Sequence, residues 1–125
     1  MKGAARLFFT LAVIYAICGM LLGIHMAMSN NHLQMPTHAH IMVAGWVMSA
    51  IFAYFYHLFP QLGASKLAMV HFWLQAVSGV VLVVTLFFVL AGHPAIEPVT
   101  GVASIGFLLG MLLFAYISLP AIWKA

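Results

Sequence analysis

The chain has 125 residues, of which 66% are hydrophobic and only 4% are charged, and its formal net charge at pH 7 is +3. Soluble domains carry about 25% charged residues, so this composition excludes a soluble globular protein and also a disordered one. Four scattered basic side chains cannot form a nucleic-acid surface, and a single cysteine excludes a disulfide framework. We therefore predict an all-α integral membrane protein with a single domain over residues 1–125, whose main surroundings are the lipid bilayer.

Each of four apolar runs is long enough to cross a bilayer as a helix, which takes about 20 residues. The runs cover about residues 5–28, 36–59, 67–91 and 99–122, with Gly, Pro, Asn or Ser in the breaks between them. The first run is too long for the core of a cleaved signal peptide, which spans about 7–15 residues, so we expect it to be retained. The sequence predicts a four-transmembrane-helix bundle.

The charged residues segregate between the two ends of such a bundle. Glu97, the one acidic residue, falls at one end, and all the basic residues fall at the other: Lys2, Arg6, Lys66 and Lys124. Because basic residues flank membrane spans on the cytoplasmic side, we expect both termini in the cytoplasm and the protein in the inner (plasma) membrane of the cell.

Two GxxxG motifs, Gly19–Gly23 in the first span and Gly106–Gly110 in the fourth, allow helices to approach closely in lipid. Such a motif serves packing within one chain and contact between subunits equally well. The sequence leaves both possibilities open.

Seven histidines are unusual in so apolar a chain, because ionisable groups within a membrane are costly and tend to mark functional positions. His57 and His71 lie near the basic ends of their spans, with His57 about 25 Å along the helix from His40. We expect no cofactor role for these two. The histidines toward the other end are His25, His32, His38, His40 and His93.

The most informative motif is His38-Ala39-His40, at the start of the second span. Helix positions two residues apart point about 200° from each other, so the two imidazoles face opposite sides at nearly the same depth. They suit two sites flanking one helix, or one ligand and one structural hydrogen bond. Gly45 and Ser49 follow near the face of His38, and their small side chains leave room for a flat macrocycle.

One imidazole in each direction suits haem iron, which takes one or two histidines in an apolar slot, better than zinc, which takes three or four ligands. We therefore predict haem b with His38 and His40 as axial iron ligands. Copper is the alternative cofactor, because thioether and imidazole ligands suit Cu(I). The methionines near the histidines are Met20, Met26, Met28 and Met35.

The segment from Thr37 to Pro60, THAHIMVAGWVMSAIFAYFYHLFP, resembles a metal-binding helix of subunit I of the haem–copper oxidase superfamily, which includes the nitric oxide reductases. In that family an H-x-H motif gives one histidine to a low-spin haem and the other to the active-site haem on the opposite face. The HAHxxxxGW form also resembles small homologues of that subunit. The resemblance implies haem binding through His38 and His40.

The family's subunit I consists of three four-helix arcs, and this chain supplies one such arc. The resemblance therefore implies a cyclic homotrimer, in which each protomer gives His38 to one haem and His40 to another. A monomer that holds haem between His25 and His40 is the alternative arrangement.

The family's active-site copper takes three histidines, and no such set is visible in this sequence. We therefore expect electron transfer by a bis-histidine haem rather than an enzyme that reduces oxygen or nitric oxide. Two other functions stay open. One is copper handling or metal transport through the Met and His residues, and the other is a cofactor-free subunit that assists the assembly of a larger oxidase.

Overall fold

The structure is a computed structural model that describes residues 1–124; Ala125, the last residue of the predicted domain, lies outside it. Four helices are long and apolar enough to cross a membrane, which confirms the predicted all-helical, four-span fold. We number them α1 (Gly3–Ser29), α2 (Met35–Leu58), α3 (Lys66–Leu90) and α4 (Glu97–Lys124).

Short connections make successive helices antiparallel. α1 ends at Asn30, whose φ of 52° lies in the left-handed region that commonly terminates helices. A one-turn helix, Pro60–Gly63, joins α2 to α3, and the Ser65 hydroxyl then caps α3 by accepting from the N–H of Ala68 at 3.1 Å. A 3₁₀ turn, Pro94–Ile96, leads into α4.

This arrangement gathers the charges at two opposite ends of the bundle. α1 begins beside the α2–α3 connection, where a Cβ on Gly3 would lie 2.6 Å from the carbonyl oxygen of Gly63. We call this the basic end, and its charged residues are Lys2, Arg6, Lys66 and Lys124. Glu97 begins α4 at the other end, which we call the acidic end.

An aromatic core fills the half of the bundle nearer the basic end. The ring centroids of Phe8 and Phe52 lie 5.1 Å apart, and those of Phe52 and Phe114 lie 4.6 Å apart. Tilted aromatic pairs at such distances stabilise beyond the area that they bury. These contacts join α1, α2 and α4.

The outer faces of the helices remain largely exposed. Only 22–33% of the most apolar part of each span is buried within the chain. The exposed apolar surface is what a lipid environment or a neighbouring copy of the chain would cover.

Both GxxxG motifs face the inside of the chain. Gly19–Gly23 packs against α2, where a Cβ on Gly19 would lie 2.8 Å from the side chain of Ile41, and Gly106–Gly110 packs against α3. Close approach of this kind is what small residues permit in membrane helices. The two motifs are therefore used within the chain, and their faces are not free for contact between copies.

The contact between α1 and α2 predicts a position-specific effect of adding one methyl group. Gly45 of α2 lies directly against the ring of Tyr15, whereas a Cβ on Gly101 of α4 would meet nothing within 4 Å. We expect Gly45→Ala to lower the free energy of unfolding by about 1–3 kcal/mol, because the ring must move. Gly101→Ala is the matched control and should unfold no more easily than the wild type in the same detergent. Equal loss of stability in both variants would contradict this packing.

Candidate functional site

α2 changes its helical form immediately after the two histidines. Met35–His40 is α-helical, Ile41–Val47 is a π-helix, and Met48–Leu58 is α-helical again. No proline lies within the π-helical segment, so the change is not a proline kink. π-helical turns are rare in proteins, and those that occur are often found at functional sites. The π-helical segment therefore supports a functional role for the two histidines that precede it.

His38 lies on the side of α2 that faces α1, where it is half-buried. Its Nδ1 donates a hydrogen bond to the carbonyl oxygen of Gly19 at 2.9 Å. A Cβ on Gly23 would lie 3.0 Å from its Cε1, so the absence of a side chain there is what lets the ring lie against α1. Since the carbonyl can only accept, the proton is on Nδ1 and the lone pair is on Nε2.

His40 lies on an exposed side of α2. Its Nδ1 donates to the carbonyl oxygen of Pro36, one turn earlier, at 2.7 Å. This bond selects the same tautomer as in His38, so both histidines carry a lone pair on Nε2. One imidazole therefore lies against α1, and the other faces the surroundings of the bundle.

A side-chain relay ties the start of α2 to the end of α3. The Thr37 hydroxyl, 1% exposed, donates to Oε1 of Gln34 at 2.7 Å, and Nε2 of Gln34 donates to the carbonyl oxygen of Phe87 at 3.0 Å. Buried polar groups need such partners, because an unpaired one costs free energy. The relay fixes the turn of α2 that carries His38 and His40.

The room that Gly45 was expected to leave for a macrocycle is filled within the chain. Gly45 is buried against the ring of Tyr15 of α1. Ser49, the other small residue of the expected slot, is 3% exposed. Gly45 therefore serves the packing of α1 against α2 in this structure.

His25 lies in a different place from the two histidines of α2. It lines a cavity of about 320 Å³ at the acidic end, together with Gln34 and Phe87. On α1 it is two residues from Gly23, which contacts His38, so it points about 200° away from that contact. The structure does not bring His25 together with His38 or His40.

The other ligands considered for a metal are dispersed. His32, His57 and His93 are exposed at separate places, and residues 1–124 contain no group of three or more His, Cys, Asp or Glu side chains that could hold a metal ion. The methionines considered for copper also diverge, since Met26 is 3% exposed and Met28 is 83% exposed.

Sequence reasoning missed one polar pair. His71 of α3 is fully buried, and a hydrogen bond of 2.9 Å joins its Nδ1 to the hydroxyl of Tyr56 of α2, which is itself 1% exposed. The available signal was position: Tyr56 lies about one helical turn before the connection at Pro60–Gly63 and His71 about two turns after it, so the antiparallel α2 and α3 bring them to neighbouring depths.

No protein-family model, curated protein or solved structure matches this chain. The resemblance to the oxidase subunit therefore stays a prediction that rests on the segment from Thr37 to Pro60.

The relay at the start of α2 predicts the effect of removing one hydroxyl. Thr37→Val keeps the shape of the side chain but leaves Oε1 of Gln34 without its donor, so we expect the free energy of unfolding to fall by about 1 kcal/mol. Thr10→Val is the matched control, because the Thr10 hydroxyl is exposed and bonds only to Arg6 of its own helix. Thermal unfolding of the two variants in detergent measures the difference, and an unchanged midpoint for Thr37→Val would argue against the relay.

Proposed function

We propose that this protein is a b-type haem protein of the membrane, with His38 and His40 as axial iron ligands, and that it transfers electrons. The observation that carries the proposal is the hydrogen bonding of the two imidazoles. Each Nδ1–H is held by a backbone carbonyl, and each Nε2 keeps its lone pair. Histidines that ligate metals almost always have this second hydrogen bond, which fixes the tautomer, orients the ring and raises its basicity.

The number and the surroundings of these ligands fit haem better than a bare metal ion. Each face of α2 offers one imidazole, and haem iron needs only one or two protein ligands. Val43 and Val47, in the π-helical segment that follows His40, are 62% and 44% exposed. Exposed apolar side chains close to an imidazole suit the face of a porphyrin. When bound, haem supplies a one-electron iron couple, and two axial histidines leave no open position for a gas.

The exposure of His40 supports a site that is shared between copies of the chain. A haem on the exposed face of α2 would be open to lipid unless a second copy covered it. His38 is half-buried against α1 on another face of the same helix, so a shared haem requires a neighbouring copy to present Nε2 of its own His38 beside α1. A contact between two different faces is head-to-tail, and it closes as a ring. The family that the segment resembles indicates three copies.

The two ligands can be tested separately. We expect His38→Ala and His40→Ala each to abolish nearly all the Soret absorbance per protein after expression with haem supplied, because every shared iron loses one of its two axial bonds. His57→Ala is the matched control, since His57 is an exposed histidine of the same helix near the basic end. Retention of haem by both ligand variants, or its equal loss from His57→Ala, would contradict the assignment.

Complementation tests whether the site is shared. In a head-to-tail ring, a His38→Ala protomer still supplies His40 and a His40→Ala protomer still supplies His38. Random co-assembly of the two variants should therefore restore about a quarter of the wild-type haem, since one interface in four pairs the intact residues. Native mass spectrometry should find this haem in trimers. A haem-loaded monomer, or no recovery on co-expression, would instead favour a site within one chain.

A further inference from the structure

His71 is enclosed in the aromatic core near the basic end of the bundle. It is 0% exposed, and the ring centroids of Phe52 and Phe8 lie 4.6 and 5.0 Å from its own. The ring of Phe114 stacks against it at 5.2 Å. A polar side chain in such surroundings costs free energy unless its nitrogen atoms find partners.

Only one of its two nitrogen atoms has a partner. Nδ1 is hydrogen-bonded to the hydroxyl of Tyr56, whereas Nε2 is buried without a partner among residues 1–124. Oε1 of Gln75, one helical turn further along the same face of α3, is the other buried side-chain atom of the described chain without a partner. Amide Oε1 can only accept, so these two atoms complement each other only when Nε2 carries a proton.

When the neutral ring carries its proton on Nε2, the Tyr56 hydroxyl donates to Nδ1. When both nitrogen atoms are protonated, the Tyr56 oxygen can accept from Nδ1–H, and Oε1 of Gln75 is the buried acceptor still without a partner for Nε2–H. A positive charge on the ring would also face aromatic side chains, whose π systems attract cations. Of the groups that face His71, Phe8 comes from α1, Phe114 from α4, and Phe52 and Tyr56 from α2. Tyr56 is the only titratable one, and none carries a formal charge.

The hydrogen-bond partner of the ring belongs to a residue that lines a cavity at one end of the bundle. Tyr56 lines a cavity of about 350 Å³ at the basic end, which Lys2 and His57 also line. In the other direction, the buried face of α3 continues through Gln75 and the polar Ser78 to Leu82, an apolar residue that is 7% exposed. Tyr56 is thus the polar residue between the ring and the cavity at the basic end.

We propose that Tyr56, His71 and Gln75 form a buried proton-binding site that exchanges protons with the solution at the basic end through the Tyr56 hydroxyl. The hydroxyl proton moves to Nδ1 of neutral His71 while the phenol oxygen takes a proton from the cavity, so one proton is gained and the tyrosine is regenerated. The resulting imidazolium donates from Nδ1 to Tyr56 and from Nε2 to Gln75. This site does not depend on haem binding at His38 and His40.

Nitrogen NMR of the detergent-solubilised chain, labelled with ¹⁵N-histidine, tests the proposal, with the His71 signals assigned by their absence in His71→Phe. In a neutral ring the two nitrogen resonances lie far apart, and on protonation they converge. We expect convergence as the pH is lowered while the protein stays folded. We expect the midpoint in Gln75→Leu to be lower by about one pH unit, because the cation loses one charge-assisted acceptor. Tyr56→Phe should slow proton exchange at His71 at least tenfold.

His57→Gln is the control, because it removes a nearby exposed histidine that lines the same cavity and should leave the His71 midpoint unchanged. A His71 ring that keeps neutral resonances at the lowest pH at which the protein remains folded would overturn the proposal. So would an unchanged midpoint in Gln75→Leu, or unchanged exchange in Tyr56→Phe, if thermal unfolding shows that the variant is folded.

Discussion

The hydrogen bond from Nδ1 of His38 to the carbonyl oxygen of Gly19 joins α1 and α2 where the candidate site begins. Gly23 has no side chain, so the imidazole can lie directly on the backbone of α1, and Gly19 in the same way leaves room for Ile41 and Met42 of α2. In the hydrocarbon region no water is present to satisfy polar groups, and each must find a partner in the protein. That constraint determines how closely the two helices approach and which nitrogen of His38 carries the proton.

The same constraint acts differently on the histidines at the two ends of the bundle. At the acidic end, backbone carbonyls satisfy Nδ1 of His38 and of His40, and each Nε2 is left with a lone pair that suits a metal. At the basic end, His71 is enclosed by aromatic rings, and its Nε2 is left without a partner beside the oxygen of Gln75. The first arrangement favours ligation, and the second offers hydrogen-bond acceptors to a ring that carries a second proton. The two histidine sites are distinct in position and in chemistry.

The fold could be predicted from the sequence because apolar runs of bilayer length are separated by helix-ending residues. The helical period also places His38 and His40 on different sides of α2. The partner of Gly45 could not be predicted, because its contact with Tyr15 depends on the register between α1 and α2. The pairing of Tyr56 with His71 likewise depends on the antiparallel register of α2 and α3, and the π-helical segment has no proline to mark it.

Haem ligation at His38 and His40 is decided by the reduced-minus-oxidised visible spectrum of the purified protein, recorded with and without carbon monoxide. Two axial histidines occupy both open positions of the iron. We therefore expect b-type Soret and visible bands that carbon monoxide leaves unchanged. A colourless protein after expression with haem supplied would contradict haem binding, and a shift of the bands with carbon monoxide would contradict ligation by two histidines.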